Sequence, residues 1–116
     1  MIEEFIDAYI EAIFFTESEN IGDAKLTNET RASITKDCQD FLLRADNIVK
    51  RVLDHGLLTV DSIAHDFWFT RNGHGCGFWE GNARGYPGNT GDELDTIAKQ
   101  FGQCDAYRYR GWVYVA

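Results

Sequence analysis

Apolar residues recur at helical spacing from the start of the chain. Ile2, Phe5, Ile6, Tyr9, Ala12 and Ile13 fall on one side of a helix predicted over residues 2–15, and Glu3, Glu4, Asp7 and Glu11 take the other. Glu3, Asp7 and Glu11 follow at i, i+4 and i+8, so like charges stack along one face at roughly 0.2–0.5 kcal/mol per pair. The helix N-terminus offsets part of this for Glu3 and Glu4. Asp7 and Glu11 have no lysine or arginine nearby in sequence. A polar connector over residues 16–26 leads to a longer helix predicted over residues 28–54. Its stripe is Ile34, Cys38, Phe41, Ala45, Ile48, Val49 and Val52. Thr27 or Asn28 can cap its start. His55 and Gly56 suit its end, a cation followed by a residue tolerant of left-handed backbone.

After a short apolar connector the pattern changes. Residues 65–81, HDFWFTRNGHGCGFWEG, hold two Trp, three Phe, two His and a Cys among several glycines. Such a segment is either a reactive loop or a hairpin whose glycines make room for rings. Asn72-Gly73 favours the hairpin, because both positions of a tight turn need positive φ. With that turn, Phe67, Phe69, Cys76 and Phe78 share one face, and Trp68, Trp79, Asp66, Thr70, Gly75 and Gly77 the other. A three-residue turn would break this sorting. Gly77 opposite Trp68 would offer bare backbone for the ring to lie over. Residues 80–91 read as a glycine-rich loop containing the single proline, Pro87. Thr90-Gly91-Asp92-Glu93 reads as a capping box, opening a short helix with Leu94, Ile97, Ala98 and Phe101 on one side and stopped by Gly102. The ending, CDAYRYRGWVYVA, alternates about Arg110-Gly111 as a second hairpin. There Tyr107 faces Tyr114 and Tyr109 faces Trp112, with Ala106, Arg108, Val113 and Val115 on the other face. The expected fold is therefore α+β: a mainly antiparallel sheet of two hairpins with helices packed on one side.

Composition supports one folded domain over residues 1–116. That length buries about two thirds of the unfolded surface, and 44% hydrophobic with 14% aromatic content is that of a globular chain. The acidic opening lacks the basic start of a secretory signal, and no apolar run is long enough to span a bilayer. Three cysteines with no close pair suggest no disulfide framework and a reducing, cytoplasmic setting. The net charge of −8 is uneven. Residues 1–61 carry thirteen acids against six bases, −7, and residues 62–116 carry six against five, −1. The chain thus divides into an acidic helical half and an aromatic half. An acidic field repels phosphate, so direct nucleic-acid binding is disfavoured and a basic partner favoured. Solubility alone accounts for such acidity equally well.

Several chemistries lack their spacing. Gly73-x-Gly75-x-Gly77 leads into a predicted strand, matching neither the dinucleotide fingerprint nor the phosphate loop. His65, His74, Cys76 and Cys104 are metal-ligand types, but no CxxC or HxxxH pair exists, so neither a metal nor a cofactor is expected. Cys38 and Cys76 fall on apolar faces, where a thiol acts as a small hydrophobe. A reactive cysteine also needs an electropositive setting that an acidic chain does not offer. Arg71 and His74 flank the predicted turn and could meet a partner. For Arg71, pairing with an acid inside the fold is the simpler reading.

The run HDFWFTRNGHGCGFW resembles the core, HDFW-x-TRNGHG-x-GFW, of a group of small uncharacterised proteins encoded by bacteriophages and mobile elements. KDCQDFL, Lys36 to Leu42, and LDTIAKQFG, Leu94 to Gly102, are also similar to that group. The resemblance implies a viral setting and no assigned activity.

Two functions fit these observations. The first is an accessory protein that binds and inhibits a host protein with a basic surface, the acids Glu3, Glu4, Asp7 and Glu11 standing in for phosphates and Trp68, Arg71, His74 and Trp79 adding contacts. The target would be a defence factor that normally grips nucleic acid. The second is a small enzyme or ligand binder at the first hairpin. There Trp68 and Trp79 would stack a planar ligand, Arg71 and His74 would hold its polar part, and the loop over residues 80–91 would close as a lid.

Overall fold

The computed structural model describes residues 1–116. Helix α1 (Ile2–Thr16) forms where the pattern places it, with Phe5, Ile6, Ala8, Tyr9, Ala12 and Ile13 buried. A short helix α2 (Ser18–Ile21) and a two-residue strand β1 (Lys25–Leu26) follow. Thr27 caps α3 (Asn28–Arg44) by accepting a hydrogen bond from the Thr30 amide at 3.0 Å. The long helix predicted over residues 28–54 is two helices. The chain bends at Ala45, φ −100° and ψ 10°, and resumes as α4 (Asp46–His55). The apolar stripe continues across the bend without glycine or proline, so nothing local marks it. The bend lays α4 against α6 (Thr90–Lys99). Gly56 closes α4 in the left-handed conformation expected for it.

The largest departure is at residues 60–72, which form helix α5 (Val60–Asn72) and not a strand. The Thr59 hydroxyl accepts from the Ser62 amide at 3.2 Å and starts the helix. Ile63, Ala64, Phe67, Trp68 and Arg71 then recur at steps of three and four, and all are buried. Asn72-Gly73 is the helix end. Gly73 takes φ 66° and ψ 41°, and the amides of Gly73 and His74 return to the carbonyls of Thr70 and Phe69. The glycine read as a turn residue supplies the same positive φ as a helix stop.

Past this cap the chain makes a short loop and a 3₁₀ segment (Phe78–Arg84). Residues 80–91 are therefore not an open lid: Phe78 and Tyr86 are fully buried, and the 3₁₀ segment packs on α6. The predicted capping box at Thr90 does not form, because the Thr90 hydroxyl donates to the Pro87 carbonyl at 2.6 Å.

The second hairpin is present in the expected register. Strands β2 (Ala106–Tyr109) and β3 (Trp112–Val115) pair antiparallel, with Tyr107 opposite Tyr114 and Tyr109 opposite Trp112. Arg110 and Gly111 both have positive φ, 53° and 84°, as a two-residue turn of matching twist requires. Strand β1 joins β3 in parallel, giving a small mixed sheet in the order β1-β3-β2. The expected α+β fold with two hairpins is thus replaced by a mainly helical one: six α-helices and a 3₁₀ segment around one hairpin and a short third strand.

Helices α1 and α5 form the spine. Their contacts climb both helices together: Glu11 meets His65, Thr16 meets Trp68, and Glu17 lies near His74. The two helices therefore run parallel. Beneath them Phe5, Phe41, Phe67 and Phe78 stack, with Phe41 and Phe67 at 4.1 Å between ring centres and Phe41 and Phe78 nearly parallel at 5.8 Å. Offset stacks of this kind add about 0.5–1.5 kcal/mol per pair beyond area burial.

Candidate interaction surface

The four residues expected to make contacts from the aromatic segment separate in space. Trp68 is fully buried. Its indole N–H donates to the Thr16 hydroxyl at 2.8 Å, and its ring meets Tyr9 edge-on at 5.5 Å. Arg71 is 6% exposed. Its guanidinium donates to the Tyr9 hydroxyl, to Asp37 at 2.8 Å, and to the carbonyls of Phe101 and Gly102. Burial opposes its charge, but Tyr9 and Asp37 outweigh that and keep it protonated. Arg71 thus pairs inside the fold, and neither it nor Trp68 is presented to a partner. Trp79, by contrast, is 52% exposed. The two tryptophans that were to stack a planar ligand stand one inside and one outside, so that stacking site is not assembled. His74 lies on the Trp68 ring at 6.1 Å, with its Nε2 3.8 Å from Glu17 Oε1.

The glycine pairing also differs from expectation. Gly77 backs onto Thr70, not Trp68: a Cβ there would lie 2.3 Å from the Thr70 hydroxyl. That hydroxyl accepts from the Phe78 amide at 3.0 Å. The carboxylate of Glu80 accepts from the Gly77 amide. These bonds fasten the start of the 3₁₀ segment to α5.

A buried polar cluster escaped sequence reasoning. Asp66, 1% exposed, accepts from Arg84 Nε and from a second guanidinium nitrogen at 2.7 Å, and from the Tyr86 hydroxyl at 2.6 Å. Burial and the Asp66 charge push the Tyr86 phenol up, and the Asp66 bond holds Arg84 charged. Every polar atom of Asp66 is thereby matched, which marks a structural pair and not a reactive group. The signal in sequence was an acid on the apolar side of a helix, hidden while the segment was read as a strand.

Chemistry elsewhere is sparse. No three His, Cys, Asp or Glu side chains are grouped to hold a metal ion. Burial pushes the thiols of Cys38, Cys76 and Cys104 up, away from the thiolate that a nucleophile needs. No helix is long and apolar enough to cross a membrane.

Two surfaces remain outside. Glu3, Glu4, Asp7 and Glu11 are all exposed on α1. Asp7 reaches Arg31 at 3.4 Å and Glu11 reaches His65 at 3.0 Å. The nearby carboxylate of Asp61, from the start of α5, raises the proton affinity of Glu4. Beyond them Glu11, Ala12, Phe15, His65 and Phe69 line an apolar groove of about 360 Å³, with Phe15 77% exposed. The other surface is the hairpin, where Tyr107, Tyr109 and Trp112 are about half exposed and Tyr107 stacks on Tyr114 at 5.5 Å. No family model, curated protein or solved structure matches this chain.

Proposed function

We propose that this chain is a protein-binding module of a bacteriophage or mobile element, acting in the host cytoplasm on a host protein with a basic surface. The contact is the exposed acidic side of α1. A defence factor that grips nucleic acid would meet carboxylates where it expects phosphates. The observation that carries this reading is the uninterrupted exposed row Glu3, Glu4, Asp7 and Glu11, joined by Asp61 from α5. Successive acids at i, i+4 lie about 6 Å apart along the helix. The internal pairs to Arg31 and His65 are no obstacle, since exposed ion pairs contribute about 0–1 kcal/mol and exchange readily for a better cation. Exposed Phe15 beside the row supplies the apolar contact that charge alone lacks.

The test is capture from host lysate by the tagged chain at low and raised salt. A partner retained at low salt should be released as screening shortens the range of the charges. Substituting Glu3→Lys, Asp7→Lys and Glu11→Lys together should abolish capture while leaving the circular dichroism spectrum intact. Capture that ignores both salt and the triple substitution would end the proposal.

A further inference from the structure

The seam between α1 and α5 has a direction. At one end Glu4 and Asp61 face each other, midway Glu11 meets His65 at 3.0 Å, and at the far end Phe15 and Phe69 wall the apolar groove. Eleven residues separate Glu4 from Phe15 on a single helix, about 16 Å. On α5 the stripe Asp61, His65 and Phe69 keeps pace with it. Two parallel helices thus present a seam whose exposed side chains are acidic at its start and which opens into an apolar groove at its finish.

We propose that this seam docks one amphipathic, basic helix of a partner protein. Its apolar side chain enters between Phe15 and Phe69, and its lysines or arginines run back to Glu11 and then to Glu4 and Asp61. The proposal rests on the reading above that the acidic side faces a basic partner, and it names the element that partner supplies. Helix-in-groove recognition reads side chains repeated on a single face of one helix, and the seam offers charged contacts about one and three turns from its apolar end. Charge argues against the other occupants. A second copy carries the same net −8 and would bring more acid to an acidic seam. An anionic lipid surface or a nucleic acid would be repelled likewise.

The probe is a fluorescein-labelled helical peptide of about 18 residues, long enough to hold some helix alone. It carries one leucine, and lysines about four and eleven positions away on the same face. Fluorescence anisotropy follows its binding to the full chain, with a scrambled peptide of equal composition beside it. The ordered peptide should bind and the scrambled one should not. Phe15→Ala should weaken binding about ten-fold or more, as for a central anchor, and Glu4→Gln with Asp61→Asn should remove most of the salt dependence. Phe15 is exposed, so its substitution leaves the core untouched. Equal binding by Phe15→Ala, equal binding of the scrambled peptide, or no binding overturns the proposal. A dimer seen in sedimentation equilibrium and lost with Phe15→Ala also overturns it, by assigning the groove to a second copy. If the peptide fails while the triple lysine variant still loses its lysate partner, the groove assignment falls and the acidic-face reading stands. If the peptide binds as described while that variant still captures its partner, the reverse holds.

Discussion

Gly77 occupies a place that no other residue fits. Its φ of 152° lies outside the range that side chains favour, and a Cβ would press on the Thr70 hydroxyl at 2.3 Å and on the Thr70 Cα at 3.3 Å. Gly77→Ala is therefore expected to destabilise the fold by about 2 kcal/mol or more, from overpacking and backbone strain together. Urea denaturation monitored by tryptophan fluorescence measures it; a change below the error of the fit would show that the loop yields instead. The requirement for glycine was legible in the sequence, but its neighbour was not. Reading residues 65–81 as a ribbon set Gly77 against Trp68, whereas the helix turns Trp68 inward and brings Thr70 to the glycine. A similar close approach holds at Gly91, where a Cβ would sit 2.6 Å from the Phe78 carbonyl.

Among the elements, α5 decides the architecture. Its buried positions follow a period near 3.6, and Thr59 and Gly73 punctuate its two ends. All of this was present in the chain. The alternation of Phe67 and Phe69 with the Asn72-Gly73 pair masked it, because a helix stop and a hairpin turn ask for the same positive φ. Arg71 then ties α5 to its neighbours. One guanidinium holds Tyr9 of α1, Asp37 of α3 and the two carbonyls that follow α6. Arg71→Met leaves those acceptors unmatched and is expected to cost about 3–5 kcal/mol. Arg71→Lys should recover only part of this, since one ammonium cannot span four acceptors. Equilibrium unfolding of the pair checks both, and a lysine variant as stable as the parent would show that the fork geometry is unimportant.

Across the whole molecule one carboxyl, Glu4, carries a dependence of stability on pH in the acid range. Asp61 raises the proton affinity of Glu4, helped by desolvation and opposed by the N-terminal ammonium. A carboxyl that binds its proton more tightly in the folded state contributes stability below its ordinary pKa. That contribution is lost as pH rises through the raised value. The chain should therefore lose stability from this site as pH rises above the ordinary glutamate range, about 4.3, and Glu4→Gln should flatten that part of the curve. Thermal melts of the two proteins across that range give the comparison; parallel curves would mean that Glu4 and Asp61 do not interact in solution. The same two carboxylates form the acidic end of the α1/α5 seam, so a bound lysine should relieve their repulsion.

The sequence by itself determined α1 with its acidic outer face, the start of α3 at Thr27, the stop at Gly56 and the register of the last hairpin. Each rests on contacts between residues close in the chain, where period, cap and turn chemistry act directly. Only the tertiary structure decided that α5 is a helix, that the stripe over residues 34–52 bends at Ala45, and that Asp66 meets Arg84 and Tyr86. Those outcomes depend on residues that meet from opposite sides of a shared core, where burial of Phe67 and Trp68 against α1 and α3 outweighs the weak local preference for a turn. The seam between α1 and α5 belongs to the second group: each stripe is written in the sequence, but their parallel alignment comes from packing.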